Sequence, residues 1–248
     1  MTIENTLDSS VDSSLDLNAV SFLDVTTTGD HLLSSDYLNA ERIHLVWATP
    51  FAAKEKRTVT VAYTIERPVS GLFWRKESQS TYVVTDHETE RCRYWLPCID
   101  FPTMRQTLTF HITAPSHFTA LANGTLVSSS EQNGRKTSTW HLPQICPSYL
   151  ICLAVGEFIE ISDGQVNGID LKYYAPKGTA ERDLWATFDK TKGMMTWLQD
   201  KVGLKFPWGK YYQICVYRTP LSLNSHLSLH VAHGLLQPPG VPWKTYLW

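Results

Sequence analysis

Much of what this chain does can be bounded by what its sequence lacks. No stretch of its 248 residues approaches the roughly 18 consecutive apolar residues of a membrane-spanning helix. The N-terminus is acidic where a secretory signal would be basic and then apolar. Nor is there the charge excess that keeps chains disordered: hydrophobic residues make up 43%, charged residues 19%, and the formal net charge is -2. That balance gives no global attraction to nucleic acid. A soluble, cytoplasmic protein with no nucleic-acid and no membrane partner is expected. Cys92, Cys98, Cys146, Cys152 and Cys215 include no C-x-x-C pair, so free thiols in a reducing compartment are expected rather than a disulfide frame or a zinc site. G-x-G-x-x-G, the P-loop, G-x-S-x-G and H-E-x-x-H are also missing. Nucleotide binding and serine hydrolysis therefore have no motif support.

What is present is a dense run of short strand patterns. Residues 1–16, "MTIENTLDSSVDSSLD", are rich in Ser and Asp, lack any basic residue and are expected to be a disordered leader. From there to about residue 175, runs such as "RIHLVWA", "RTVTVAYTI" and "QTLTFHIT" alternate with turn chemistry such as "ANG" and "QNGRK". Many short strands at regular spacing predict packed antiparallel sheets. In "TVTVAYTI", Val59, Val61 and Tyr63 share one face and Thr58, Thr60 and Ala62 the other, the mark of a half-buried strand. Helical spacing is sustained only in "TAERDLWATFDKTKGMMTWLQDKVG", where Leu184, Phe188, Thr191, Met195, Leu198 and Val202 line one face and Gly203 supplies a stop. A β domain ending near residue 175 and a mixed domain after it are expected. No Asp or Glu follows Asp200, and the stretch from 217 to 248 keeps neither strand nor helix period.

Three groups of polar residues merit weighing. In "TDHETERCRYWLPCIDFP", residues 85–102, an extended backbone places Asp86, Glu88 and Glu90 on one face. Acids so placed are either a solvated edge neutralised by the neighbouring arginines, or a site for an ammonium group or a metal. His226, His230 and His233 form H-x-x-x-H-x-x-H, but poor helical patterning and the lack of a nearby carboxylate favour coincidence over a zinc site. "ANGT" at Asn123 reads as a glycosylation acceptor only in a secreted protein, and as a turn otherwise.

Read together, "RPVSGLFW", the 85–102 stretch, "ALANGTLV", "PSYLICLAVGEF" and "MMTWLQDKVGLKFPWGKYYQICV" resemble, in order and spacing, the N-terminal half of a zinc aminopeptidase of the aminopeptidase N and leukotriene A4 hydrolase family. The resemblance covers about residues 38–216 and rests on R-x-W-x-P-C-x-D-x-P, the "ANG" turn and "FPW-x-K-Y" jointly. It implies a mainly β fold: an antiparallel β-sandwich or saddle over 17–175, then the start of a mixed α+β, thermolysin-like catalytic domain over 176–216, with 217–248 an atypical tail. It also implies that Glu88 binds the free α-amino group of a peptide substrate, a charge-assisted contact that selects free N-termini. Zinc is the cofactor of intact family members. This sequence lacks the family's G-[GA]-M-E-N and H-E-x-x-H and continues after "KYYQICV" into "YRTPLSLNSHLSLHVAHGLLQ", so no zinc is expected in this chain. A truncated or frame-shifted member, inactive alone, is the expectation; a non-catalytic β-sandwich binding or assembly module from the same family is the alternative. A fragment of this kind should expose apolar surface on the helix stripe and around Trp208, Tyr211 and Tyr212, and self-associate through it. Sequencing the DNA beyond codon 217 should reveal G-[GA]-M-E-N and H-E-x-x-H in another frame; their absence from every frame would refute the frame-shift reading.

Overall fold

The computed structural model describes residues 1–216 and the backbone of 217 and 227–232, and separates into two compact units. The first comprises residues 1–72, 86–105 and 147–149; the second comprises 73–85, 106–146 and the remainder from 150.

Period-two alternation builds the first unit. Its strands are β1 (Thr2–Glu4), β2 (Ser14–Asn18), β3 (Leu23–Gly29), β4 (Leu32–Leu38), β5 (Arg42–Trp47) and β6 (Lys56–Thr64). They form two three-stranded antiparallel sheets, ordered β1-β6-β3 and β2-β5-β4. Leu17, Ile43, Leu45, Trp47, Phe51 and Val59 fill the space between them, so the unit is a small β-sandwich. Along β6, Val59 is buried and Val61 and Tyr63 half-buried while Thr58, Thr60 and Ala62 alternate outward or less covered, as the pattern predicts.

The leader expected over residues 1–16 is a correction: it carries β1 and the start of β2. Thr2 to Glu4 pair with Thr58 to Lys56, and Ile3 packs on the core. Composition concealed this because a polar residue does the anchoring. Asn5 is buried; its amide donates to the carbonyls of Ser9 (2.8 Å) and Ala52 (2.9 Å), and its side-chain oxygen accepts the Leu7 N–H (3.0 Å).

The second unit contains β7 (Gly71–Lys76), β8 (Thr81–Asp86), β9 (Arg105–Pro115), β10 (Thr119–Ala122), β11 (Thr125–Gln132), β12 (Arg135–Pro147), β13 (Leu153–Gly156), β14 (Phe158–Val166) and β15 (Ile169–Pro176). Helices α1 (Glu181–Phe188) and α2 (Thr191–Val202) follow, then β16 (Lys210–Tyr217) and β17 (Leu227–Ala232). Three sheets result, ordered β10-β13-β8-β7, β11-β12-β9 and β14-β15-β16-β17. The turn signals are used as written: Asn133-Gly134 joins β11 to β12 and Asn167-Gly168 joins β14 to β15, all four residues at positive φ, as a type I′ hairpin requires. "ANG" works differently. Asn123 is fully buried, with its amide donating to the Leu150 carbonyl (2.9 Å) and its oxygen accepting the Cys152 N–H, while Gly124 lies so close to His141 that a Cβ would sit 2.1 Å from the carbonyl oxygen.

The boundary expected near residue 175 runs through one sheet, because β15 pairs in parallel with β16 from Asp170↔Lys210 to Tyr174↔Ile214. A helical crossover returning to a parallel strand makes the two flanking segments one structure. The single helix pattern is broken into α1 and α2 between Phe188 and Thr191, and Gly203 caps α2 in the left-handed conformation (φ 71°). Leu184, Phe188, Thr191 and Met195 are buried as predicted, whereas Leu198 and Val202 are exposed. Tyr211 and Tyr212, expected on an exposed face, are buried because β16 is an interior strand of its sheet. The apolar surface lies instead on Trp197 (60% exposed), Leu198, Val202 and Leu204 (70%). Apart from the backbone of β17, the tail from 218 onward and its His226, His230 and His233 side chains lie outside the described residues.

One charge is enclosed in the second unit's core. Lys210 is 7% exposed; its Nζ donates to the Ala122 carbonyl (2.7 Å) and sits 3.8 Å from the centre of the Trp140 ring and 4.9 Å from that of Tyr212. Burial lowers its pKa to about 7, only partly opposed by the negative charge of Asp170 and the Cys152 thiol. Between pH 7 and the free-lysine value of 10.5 the unfolded chain therefore holds more protons than the folded one, so stability rises with pH across that window. The opposing effect begins near pH 9, where burial of Cys215, which raises its thiol to about 12, makes stability fall with rising pH. Urea unfolding followed by tryptophan fluorescence should show a gain on the order of 2 kcal/mol from pH 7 to pH 9, and Lys210→Met should abolish that gain. An equal slope in both proteins would disprove the assignment.

Candidate functional site

The acidic stretch is not the extended face that alternation suggests. Strand β8 ends at Asp86, residues 88–90 form a turn, and Cys92–Tyr94 make a single 3₁₀ turn. Local hydrogen bonding drives the change: the Asp86 carboxylate accepts the Glu88 N–H (3.4 Å), the His87 carbonyl accepts the Arg91 N–H (3.1 Å), and Glu90 takes a positive φ of 60°. The three acids therefore separate. Asp86 pairs with Arg91 (3.2 Å) and Glu90 with Arg93 (2.9 Å), so the reading of neutralisation by the chain's own arginines holds for these two. Glu88 stands between them on the turn, half-buried.

The turn is braced from beneath. His87 is buried and stacks on Trp95 at 5.6 Å between ring centres, and the Trp95 indole N–H donates to its Nε2. An imidazole that accepts there is neutral, with its proton on Nδ1. Gly71 packs on the same turn, where a Cβ would lie 2.1 Å from the Arg91 carbonyl oxygen, and its φ of +80° also demands glycine. Tyr63 reaches across to donate its hydroxyl to the Trp95 carbonyl (2.9 Å), and burial, with the nearby thiols of Cys92 and Cys98, pushes its pKa up to about 12.

R-x-W-x-P-C-x-D-x-P is the clasp beneath this turn. Asp100 is 2% exposed, and its carboxylate accepts from the Arg93 backbone N–H (3.1 Å), Arg93 Nε (3.1 Å) and the Ser148 hydroxyl (2.6 Å). Its own N–H donates to the Asn18 side chain (3.0 Å), while Asn18 and Cys98 exchange backbone hydrogen bonds of 2.8 and 3.2 Å. The family resemblance singled out Glu88, whereas the bracing roles of Gly71, His87, Asp100 and Ser148 around the turn were not read from the sequence. A buried aspartate three residues beyond a proline and seven beyond an arginine was the available signal.

Charge around the turn is one-sided. From Asp86 to Asp100, four carboxylates accompany two guanidiniums, which favours a cationic visitor over an anionic one. Among the described residues no group of three or more His, Cys, Asp or Glu side chains is placed to hold a metal ion. The residues described thus do not fit a catalytic zinc, and no step of chemistry through zinc is derived from them. Nor, among them, is any helix long and apolar enough to cross a membrane.

Comparison with known proteins agrees with this architecture. A puromycin-sensitive aminopeptidase of Caenorhabditis elegans is 28% identical over 161 residues, covering 63% of this chain and 17% of that protein. Aminopeptidase N of Streptomyces lividans is 27% identical over 214 residues, covering 83% of this chain and 24% of its own length. The chain therefore spans about a sixth to a quarter of the length of these relatives. Among solved structures, a mutant M1 zinc metallopeptidase from Deinococcus radiodurans, bound to a Tyr-Ser-Ala substrate, shares the fold with a TM-score of 0.64 at 21% identity, over 85% of this chain and 50% of that one. The Peptidase M1 N-terminal domain matches residues 7–150, more than half of the sequence, and the chain belongs to the M1 zinc metallo-aminopeptidase family through that domain.

Proposed function

We propose that this chain supplies the amine-recognition surface of an M1 aminopeptidase, with Glu88 as the carboxylate that receives the α-ammonium group of a peptide, and that it does not hydrolyse peptides alone. The observation that supports the reading is the braced turn: a half-buried glutamate on a turn whose neighbouring segment is fixed by a buried aspartate, in a locally negative field, at the position that the family resemblance assigns to amine binding. A carboxylate facing an ammonium makes a charge-assisted hydrogen bond that an acetylated N-terminus does not make. The Deinococcus radiodurans metallopeptidase that shares this fold was solved bound to a Tyr-Ser-Ala substrate, which supports a peptide as the ligand class. The five cysteines are free thiols, which supports a reducing, cytoplasmic setting. The apolar surface at Trp197, Leu198 and Val202 of α2 and at Leu204 just beyond it supports self-association of the chain.

Magnitude limits what the turn achieves unaided. A partly exposed ion pair contributes about 1 kcal/mol or less, whereas a 1 mM complex needs about 4 kcal/mol. Glu88 therefore discriminates between N-termini more than it binds them, and tight binding requires further contacts to the peptide.

Two predictions follow from this arrangement. In amide-resolved NMR titrations, an unblocked tripeptide should perturb residues 87–91 with an affinity weaker than about 1 mM, and its N-acetyl form should not. The response should fade as pH rises through about 8, where the peptide amine loses its proton. Glu88→Ala should remove it while leaving the melting temperature unchanged; an unaltered response in that variant would exclude Glu88 as the amine contact. Asp100→Ala behaves oppositely. It strips a buried carboxylate from Arg93 and Ser148 and should lower stability by about 3 kcal/mol in urea unfolding, whereas a loss below about 1 kcal/mol would show that the clasp is not structural.

A further inference from the structure

The outward face of the β9–β12 ladder, remote in sequence from the acidic turn, carries a regular array of hydroxyls and imidazoles. Thr109 lies opposite His141 with its Oγ1 2.9 Å from Nδ1, His111 lies opposite Thr139 with Nδ1 3.0 Å from Oγ1, and Thr113 and Thr137 join hydroxyls at 2.8 Å. Both histidines are exposed. Because His111 and His141 occupy successive rungs on the same face, they are diagonal neighbours, about 7–8 Å apart along the backbone and closer at their side chains. Among the described residues no hydrogen bond engages Nε2 of either ring.

We propose that His111 and His141 form a two-imidazole site for a late first-row divalent cation, Ni²⁺, Cu²⁺ or Zn²⁺, ligated through the two Nε2 atoms with water completing the coordination. Imidazole is the side-chain ligand suited to these ions at bonds of about 2.0–2.1 Å, and diagonal neighbours on adjacent rungs are within reach of each other's aromatic side chains. A pair of surface histidines is ordinarily just solvated. What sets this pair apart is that each ring already has its other nitrogen held by a threonine hydroxyl, which fixes ring orientation as the outer partners of metal-bound histidines do. The site is independent of the amine-recognition reading, since it uses neither the acidic turn nor its clasp.

The test is a titration of NiCl₂ into the ¹⁵N-labelled whole chain, because paramagnetic Ni²⁺ broadens the resonances nearest to it. Signals of Thr109 to Thr113 and Thr139 to Leu142 should broaden first, and Cu²⁺ should compete for the site more strongly than Zn²⁺. His111→Ala and His141→Ala should each weaken this local response by more than about tenfold, and Thr139→Val, which keeps both rings and loses one orienting hydroxyl, by about tenfold. The unperturbed spectrum of each variant before metal addition reports that the sheet is intact. The proposal fails if these strands stay sharp while other regions broaden, or if His111→Ala titrates like the parent chain.

Discussion

A single buried carboxylate organises the acidic turn. Asp100 has almost no contact with water, and the Arg93 guanidinium, the Arg93 backbone N–H and the Ser148 hydroxyl converge on its carboxylate to replace the hydration that burial removes. Satisfying that charge fixes where Arg93 must lie, and Arg93 in turn captures Glu90. The Asn18–Cys98 bridge ties the same segment to β2. The Arg-Trp-Pro-Cys-Asp-Pro frame thus has an electrostatic logic: it closes a circuit of donors around one carboxylate, and the adjoining turn inherits its geometry.

The second unit solves the converse problem with weaker means. Among the described residues Lys210 meets no carboxylate, only one carbonyl and two aromatic faces, and its charge is held at the expense of stability near neutrality. One unit therefore surrounds its buried carboxylate with donors, while the other holds a buried amine whose pKa burial lowers. The difference follows from donor count, since Asp100 receives three donors and Lys210 meets one acceptor.

Local periodicity made the strands legible. The β6 alternation, the Asn-Gly hairpins and the Gly203 stop were all visible because each depends on backbone geometry within a few residues. Elements decided by remote partners were not. The order of residues 1–16 depends on Asn5 meeting the Ala52 carbonyl, and the parallel pairing across residue 175 depends on β16 more than thirty residues on. The same distinction governs the site. Glu88 could be picked out through a resemblance carried by its neighbours, but its surroundings could not, because a strand pattern through Asp86, Glu88 and Glu90 gave no hint that His87 would be pulled inward onto Trp95. Helix α2 shows the limit from another side: the stripe was correct for Met195 and wrong for Leu198 and Val202, where nothing among the described residues covers the helix.

The partners of Asp100 lie far apart along the chain: Asn18 is 82 residues before it and Ser148 is 48 after it. The eighteen residues from Thr85 to Pro102 therefore hold the letters of the motif without the means to shape it. Excised as a peptide or grafted onto another scaffold, they would keep Glu88 but lose the anion circuit that aims it. The shape of this turn is a property of the folded first unit, not of a portable segment.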